Sequence, residues 1–336
     1  MSNTLPQNPN CTSSQYARLL ATCLGLLLGG SLAASAATPL TAANAALQSG
    51  KADEATRLLN DALKSDPNNA EANNLLCRVQ YQLEQWNDAA AHCEKAVSID
   101  GNNARYHLWL GRALGERADH ASFMSAYSLA KKTRSEFETA VKLDPKDADA
   151  LADLGEFYKE APGAVGGGID KAEDIAKKLD AVDPSRAHLL RGTIADKQKD
   201  TVTAEREFKA ATTGPHAALG WMELAGFYRR HERWSDLESA VESGAAAAAK
   251  ERHSTLALYN GAGILARANR KPAEAIKLYE SYLASPDKSE DAPAFDALVK
   301  LAKLKNATGD TAGAQRDKSS AIALAGNYKP ALDLRF

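Results

Sequence analysis

The sequence predicts an all-α fold, a right-handed α-solenoid of about eight helical hairpins, on three observations. A motif returns about every 34 residues: a small residue, a second small residue twelve positions on, then an Asp-Pro or Asp-Gly turn. It is clearest as Ala43, Ala55 and Asp66-Pro67, then Cys77, Ala89 and Asp100-Gly101. The segments between turns are alanine-rich, with apolar residues at helical spacing. The 336 residues are 44% hydrophobic and 25% charged but only 6% aromatic, the balance of a soluble repetitive helical chain and not of a disordered one. A period of this length marks a solenoid, because one hairpin cannot bury its own apolar face and must stack on its neighbours.

In chain order, residues 1–36 read as an export signal. A polar stretch over 1–16 and one positive charge, Arg18, precede an apolar run over 19–32, and Ala34-Ser35-Ala36 offers a small-x-small cleavage site before Ala37. The run is short and ends in alanines, unlike a spanning helix. The alternative is an uncleaved anchor over 19–36, the one route by which this chain would meet a membrane. The expected location is therefore exported, in the periplasm or cell envelope. Cys23 is a poor acylation site, since Thr22 precedes it and no apolar run comes before.

Residues 37–336 form the solenoid. The small site of each first helix is Ala43, Cys77, Gly111, Gly155, Gly192, Ala225, Gly263 and Ala302; that of the second helix is Ala55, Ala89, Ala204, Ala275 and Ala314, with Leu237 as a larger substitute. Small side chains here let paired helices approach closely, and Phe137, Tyr158, Phe208, Tyr228 and Tyr279 seal the stack. Two insertions interrupt the period. One lies within 116–133, a segment rich in helix formers that reads as lengthened helices. The other, near 161–169, carries Ala161-Pro162-Gly163 and Gly166-Gly167-Gly168, which end a first helix and project from one rim. Past Gly309-Asp310 a final helix runs to about Ala325, and the tail through Pro330 covers the last apolar face.

If the signal is removed, Cys77 and Cys93 are the only thiols left. They fall in one hairpin and are open to two readings: a disulfide in an oxidising compartment, or two small apolar fillers of the core.

Most catalytic chemistry is excluded. With 41 basic against 43 acidic residues there is no excess of positive charge to neutralise phosphates, so nucleic acid is not an expected partner. The glycine cluster lacks the Gly-Lys-Ser/Thr of a phosphate loop, and Asp170 follows where an anion would sit. The seven histidines are scattered, with no His-Glu-x-x-His or Cys-x-x-Cys, so no metal and no cofactor is expected. No Gly-x-Ser-x-Gly elbow occurs, and carboxylates such as Asp147/Asp149 stand at helix starts, where they complement the dipole. The chain reads as a non-enzyme with no small-molecule substrate.

The pattern resembles the tetratricopeptide repeat family over nearly all of 37–336. The resemblance is carried by Leu76-Cys77 through Ala89, Cys93 and Ala96; by Leu110-Gly111 through Phe137, Ala140 and Pro145; and by Trp221, Leu224-Ala225, Tyr228 and Trp234. The proline and double-glycine insertion is similar to that of a set of exported bacterial members. The resemblance implies a concave groove, lined by the first helices, that takes a protein or peptide segment. Carried onto this chain, the groove residues are Arg78, Tyr81, Arg105, Trp109, Arg112, Asp149, Asp153 and Glu156. They form a basic patch around Trp109 and a separate acidic patch. Arginine beside an aromatic ring is the composition of an interface hot spot; the competing reading packs Trp109 inside and leaves the arginines as surface pairs. The implied function is a protein-interaction scaffold. Alternatives are an assembly or chaperone-like factor for envelope proteins, and an accessory subunit recruiting a cell-wall or carbohydrate-processing enzyme.

Overall fold

The computed structural model describes residues 39–336, which lie in one compact unit, Ala37–Phe336. The expected export signal, the alternative anchor and Cys23 fall outside the described residues. Among the described residues there are helices and no strands. They pair in order as α1 (Pro39–Gln48) with α2 (Ala52–Ser65), α3 (Ala70–Gln82) with α4 (Trp86–Ile99), α5 (Ala104–Asp119) with α6 (Phe123–Leu143), and α7 (Ala148–Glu160) with α8 (Ile169–Leu179). Then come α9 (Pro184–Lys197) with α10 (Thr201–Ala211), α11 (Ala217–Arg230) with α12 (Trp234–Ala248), α13 (Leu256–Arg267) with α14 (Pro272–Ala284), α15 (Ala294–Ala307) with α16 (Thr311–Leu324), and the short α17 (Lys329–Leu332). This is an α-solenoid of eight hairpins. None of the described helices is long and apolar enough to cross a membrane.

The recurring Asp turn is explained by its hydrogen bonds. In the turns before α3, α5 and α7, a carboxylate oxygen of Asp66, Asp100 or Asp144 accepts the backbone N–H two residues on, at 3.2, 3.2 and 3.0 Å. Asn69, Asn103 and Asp147 then cap the following helices by accepting from Ala72, Arg105 and Ala150. In these three turns two side chains thus end one hairpin and start the next.

Within each hairpin the small sites set the spacing. A methyl group on Gly111 would fall 2.5 Å from the Phe137 ring, and one on Gly192 2.8 Å from the Phe208 ring. Glycine is required there because an aromatic from the second helix occupies the space a side chain would fill. Ala43, Cys77, Ala225 and Ala302 are wholly buried, as are Ala55, Ala89, Ala204, Leu237, Ala275 and Ala314. Cys77 and Cys93 are joined in a disulfide that pins α3 to α4. Segment 116–133 falls across the end of α5 and the first half of α6, a turn of Gly163–Val165 follows α7, and the two insertions dock together: Tyr127 donates its hydroxyl to the Ala164 carbonyl at 3.3 Å, and Arg134 donates to that of Val165 at 3.2 Å.

The two ends of this unit share a core. Ala43, Leu47, Leu59, Leu75 and Leu76 belong to the same buried cluster as Phe295, Val299, Ala314 and Tyr328. Tyr328 stacks edge-on against Phe295 at 4.7 Å and donates its hydroxyl to Asp296 at 2.9 Å. Gly50, at φ +69°, lies so close to the start of α15 that a Cβ would fall 2.5 Å from the Ala294 nitrogen. The tail covers the last hairpin and also helps to join it to the first.

Candidate partner-binding chamber

The first helices pack on one another along the inner face, and between α5 and α7 they spread. Two connected spaces result. A chamber of about 870 Å³ is lined by Arg78, Arg105, Trp109 and Arg112 on one side and by residues 286–291 on the other. A cleft of about 720 Å³ runs between α5 and α7 past Arg112, Asp153 and Glu156.

Trp109 lies at the centre of the basic group and is 7% exposed. Two guanidiniums flank its ring, Arg112 at 4.7 Å and Arg78 at 5.4 Å from the centroid, and Tyr81 meets it edge-on at 5.5 Å. Trp109 therefore packs inward, and the arginines are stacked on it. Tyr81 donates its hydroxyl to Glu116 at 3.1 Å; burial and that carboxylate push its pKa up.

The basic and acidic groups do not stand as separate patches, as the sequence reading expects. They are paired across neighbouring first helices. Arg105 binds Glu71 at 2.7 Å, Arg112 binds Asp153 at 2.5 Å, and Arg186 binds Asp149 at 2.6 Å. Further along, Lys197 binds Glu160 and Arg230 binds Asp196. Glu156 turns to the buried ammonium of Lys159, 2.7 Å away, on its own helix. The reason is lateral: charges at matching heights on successive helices are brought within reach of one another by the stacking. Desolvation holds the Asp153 carboxyl above its usual range against the pull of Arg112, and Asp149 and Asp291 add repulsion. Asn74, one turn before Arg78 on α3, is wholly buried with both amide atoms unpaired.

Arg78 is the exception in its partner. It is 6% exposed and holds Glu290 with two nitrogens, Nε to Oε2 at 2.9 Å and Nη2 to Oε1. Gln48 also donates to Oε1, and Gln82 donates to the Glu290 carbonyl at 3.1 Å. Glu290 comes from residues 285–293, a strap that joins α14 to α15 along the inner face. The sequence reading missed it. The available signal was length: most other connections between hairpins are short Asp turns, while this one is long, polar and bracketed by Pro286 and Pro293.

Among the described residues, no group of three or more His, Cys, Asp or Glu is placed to hold a metal ion. What the chamber offers is a set of oriented guanidiniums beside an aromatic ring, a geometry suited to gripping carboxylates.

The hairpin stack and inner chamber define a helical-repeat protein of the interaction class. The family model Tetratricopeptide repeat matches residues 46–118, and the same paired-helix unit recurs through α16. Superkiller complex protein 3 of Mus musculus is 26% identical over 210 residues, a match that spans 59% of this chain and 13% of that protein. Among solved structures, MamA is 26% identical, covering 48% of this chain and 86% of its own at a TM-score of 0.39. A thermophilic TPR protein of Thermus thermophilus is 22% identical, covering 52% and 88% at 0.45. The human IFIT1 dimer, solved with m7Gppp-AAAA, is 14% identical, covering 85% and 71% at 0.46. At these scores the structural likenesses carry no argument about function.

Proposed function

We propose that this protein is a non-catalytic scaffold, exported to the periplasm or cell envelope, that holds a segment of a partner protein in the inner chamber. The observation that supports this reading most directly is the chamber wall. Arg78 and Arg112 stack on the buried Trp109 ring beside about 870 Å³ of open space. A ring that supplies desolvated area and guanidiniums that grip carboxylates are the elements of an interface anchor. Helical-repeat proteins present such inner surfaces to extended segments of other chains. Export is supported by the signal-like residues 1–36 and by a Cys77–Cys93 disulfide, which persists in oxidising compartments.

The test is site-resolved crosslinking of the full chain in the cell envelope fraction. A photoreactive residue replaces Arg105 at the chamber rim or Val202, which is 78% exposed on α10. The expected result is a discrete crosslinked partner from position 105, absent from position 202 and lost when Leu219→Arg fills the chamber. Identical crosslinks from both positions would remove the chamber from the reading.

A further inference from the structure

We propose that the strap over residues 285–293 is an exchangeable internal ligand, and that the chamber binds acidic segments of partner proteins, presenting a carboxylate from a turn, by displacing Glu290 from Arg78. This rests on the scaffold reading above and adds to it the chemistry of the partner and the means by which the site is kept closed.

The strap is held at its ends, by Asp287 and Lys288 on the side of α13 and α14, and by Glu290 on the opposite wall: Thr255 donates to the Asp287 carbonyl, His253 meets the Asp287 carboxylate at 2.9 Å, and Lys288 donates to the Leu283 carbonyl at 3.0 Å. At the α14 side, Tyr282 accepts the Ser289 N–H at 3.0 Å and donates its hydroxyl to the Ala292 carbonyl at 2.6 Å. At the α15 side, Ala292, Pro293 and Ala294 are buried. Between them, Asp287-Lys288-Ser289-Glu290-Asp291 contains no apolar side chain, so no hydrophobic burial fastens the middle. Its tie to the opposite wall of α1 and α3 runs through Glu290, whose carboxylate takes Arg78 and Gln48 and whose carbonyl takes Gln82. Asp291 lies within electrostatic reach of Arg112, which Asp153 already neutralises.

The arginine site therefore recognises a carboxylate presented on a turn, closed by the Ala292 N–H donating to the Ser289 carbonyl at 3.1 Å, in a side-chain and main-chain contact that an acidic segment turning the same way could reproduce. The chamber beside the strap leaves room for the displaced residues. A partner segment with the order small or polar residue, Glu, Asp, small residue matches Ser289-Glu290-Asp291-Ala292 at the same wall. Exchange is close to neutral in hydrogen bonds, so the partner gains affinity from what it adds in the open chamber.

The experiment uses the full chain and a fluorescent peptide of residues 285–293, read by anisotropy. In the native protein the peptide competes with a tethered copy of itself at high effective concentration and binds weakly. The double variant Glu290→Gln with Asp291→Asn loosens the tethered copy, and the peptide should bind at least ten times more tightly. Adding Arg78→Gln should abolish that gain, and a peptide with Gln and Asn at the two acidic positions should not bind. Folding of each form is confirmed by helical circular dichroism. If the double variant does not fold, Glu290→Asp, which shortens the reach by one carbon, should give a smaller gain in the same direction. Equal peptide affinity for native and variant chains, binding that survives Arg78→Gln, or no binding to any form would overturn the proposal. Crosslinks from position 105 that persist beside such a result would leave the scaffold reading standing and remove only the strap exchange.

Discussion

At the scale of single residues, the fold is kept by side chains whose absence matters as much as their presence. Gly111 faces the Phe137 ring so closely that Gly111→Ala must displace the ring or part α5 from α6. We expect a loss of about 1–3 kcal/mol, seen as a lower urea midpoint with an unchanged slope. Glu205 shows the electrostatic counterpart. Arg233, Lys209 and Tyr228 all reach it, at 2.5, 2.7 and 2.9 Å, and the Arg233 hydrogen bond leads in holding its pKa down to about 2 from 4.5. A carboxyl depressed in the folded state contributes fully above its unfolded value and loses that contribution as pH falls through the folded one. Unfolding followed between pH 4.5 and 2 should therefore show a steeper decline for the native chain than for Glu205→Gln, which is less stable at neutral pH. Equal slopes would mean that Glu205 is not held by this network. Both features sit on positions the repeat makes visible. The glycine was legible because it recurs; of the partners of Glu205 only Lys209, four residues on in α10, shares a local pattern, while Tyr228 and Arg233 come from the next hairpin.

At the scale of the element, each hairpin is a local structure and could be read almost directly. The Asp turns, the caps and the twelve-residue offset between small sites all act within one repeat. The α3–α4 hairpin carries a covalent link, with Cys77 and Cys93 separated by 16 positions. A loop of that size, closed in the unfolded chain, is worth about 3 kcal/mol in the chain-entropy account. Reduction, or Cys77→Ala with Cys93→Ala, should lower stability by about that much; an effect near zero would show that the two buried sulfurs serve only as packing atoms. The insertions were legible one at a time, from composition and interval. Their docking, through Tyr127 and Arg134 onto the Gly163–Val165 turn, depends on the path of α6 past the end of α7. No residue spacing within either segment encodes that meeting.

At the scale of the whole described unit, the ends change the energetics. An open solenoid is a sum of nearest-neighbour terms, and damage at one end stays there. Here Phe295 and Tyr328 share a core with Leu47 and Leu75, so first and last hairpins are neighbours. Phe295→Ala should cost about 3–5 kcal/mol. It should also speed hydrogen exchange in α1 and α2, far away in sequence, while leaving α7 to α10 protected. Exchange that rises only in α15 and α16 would show the ends to be energetically separate.

The repeating unit is written in the sequence: helix pairs of set length, a small site in each, polar turns that stop and restart them, and a basic group around Trp109. These are short-range facts, fixed by backbone hydrogen bonding, side-chain size and capping within some 34 residues. How the stack closes, and what fills its inner face, emerges only when the hairpins are assembled. The accumulated rotation of eight hairpins brings α16 onto α2 and places Glu290 at Arg78, 212 residues apart. That rotation is set by many small packing angles, none of which any one residue reports. Lateral stacking of adjacent first helices turned two expected patches of opposite charge into pairs, and the rotation seated a loop between helices against Arg78.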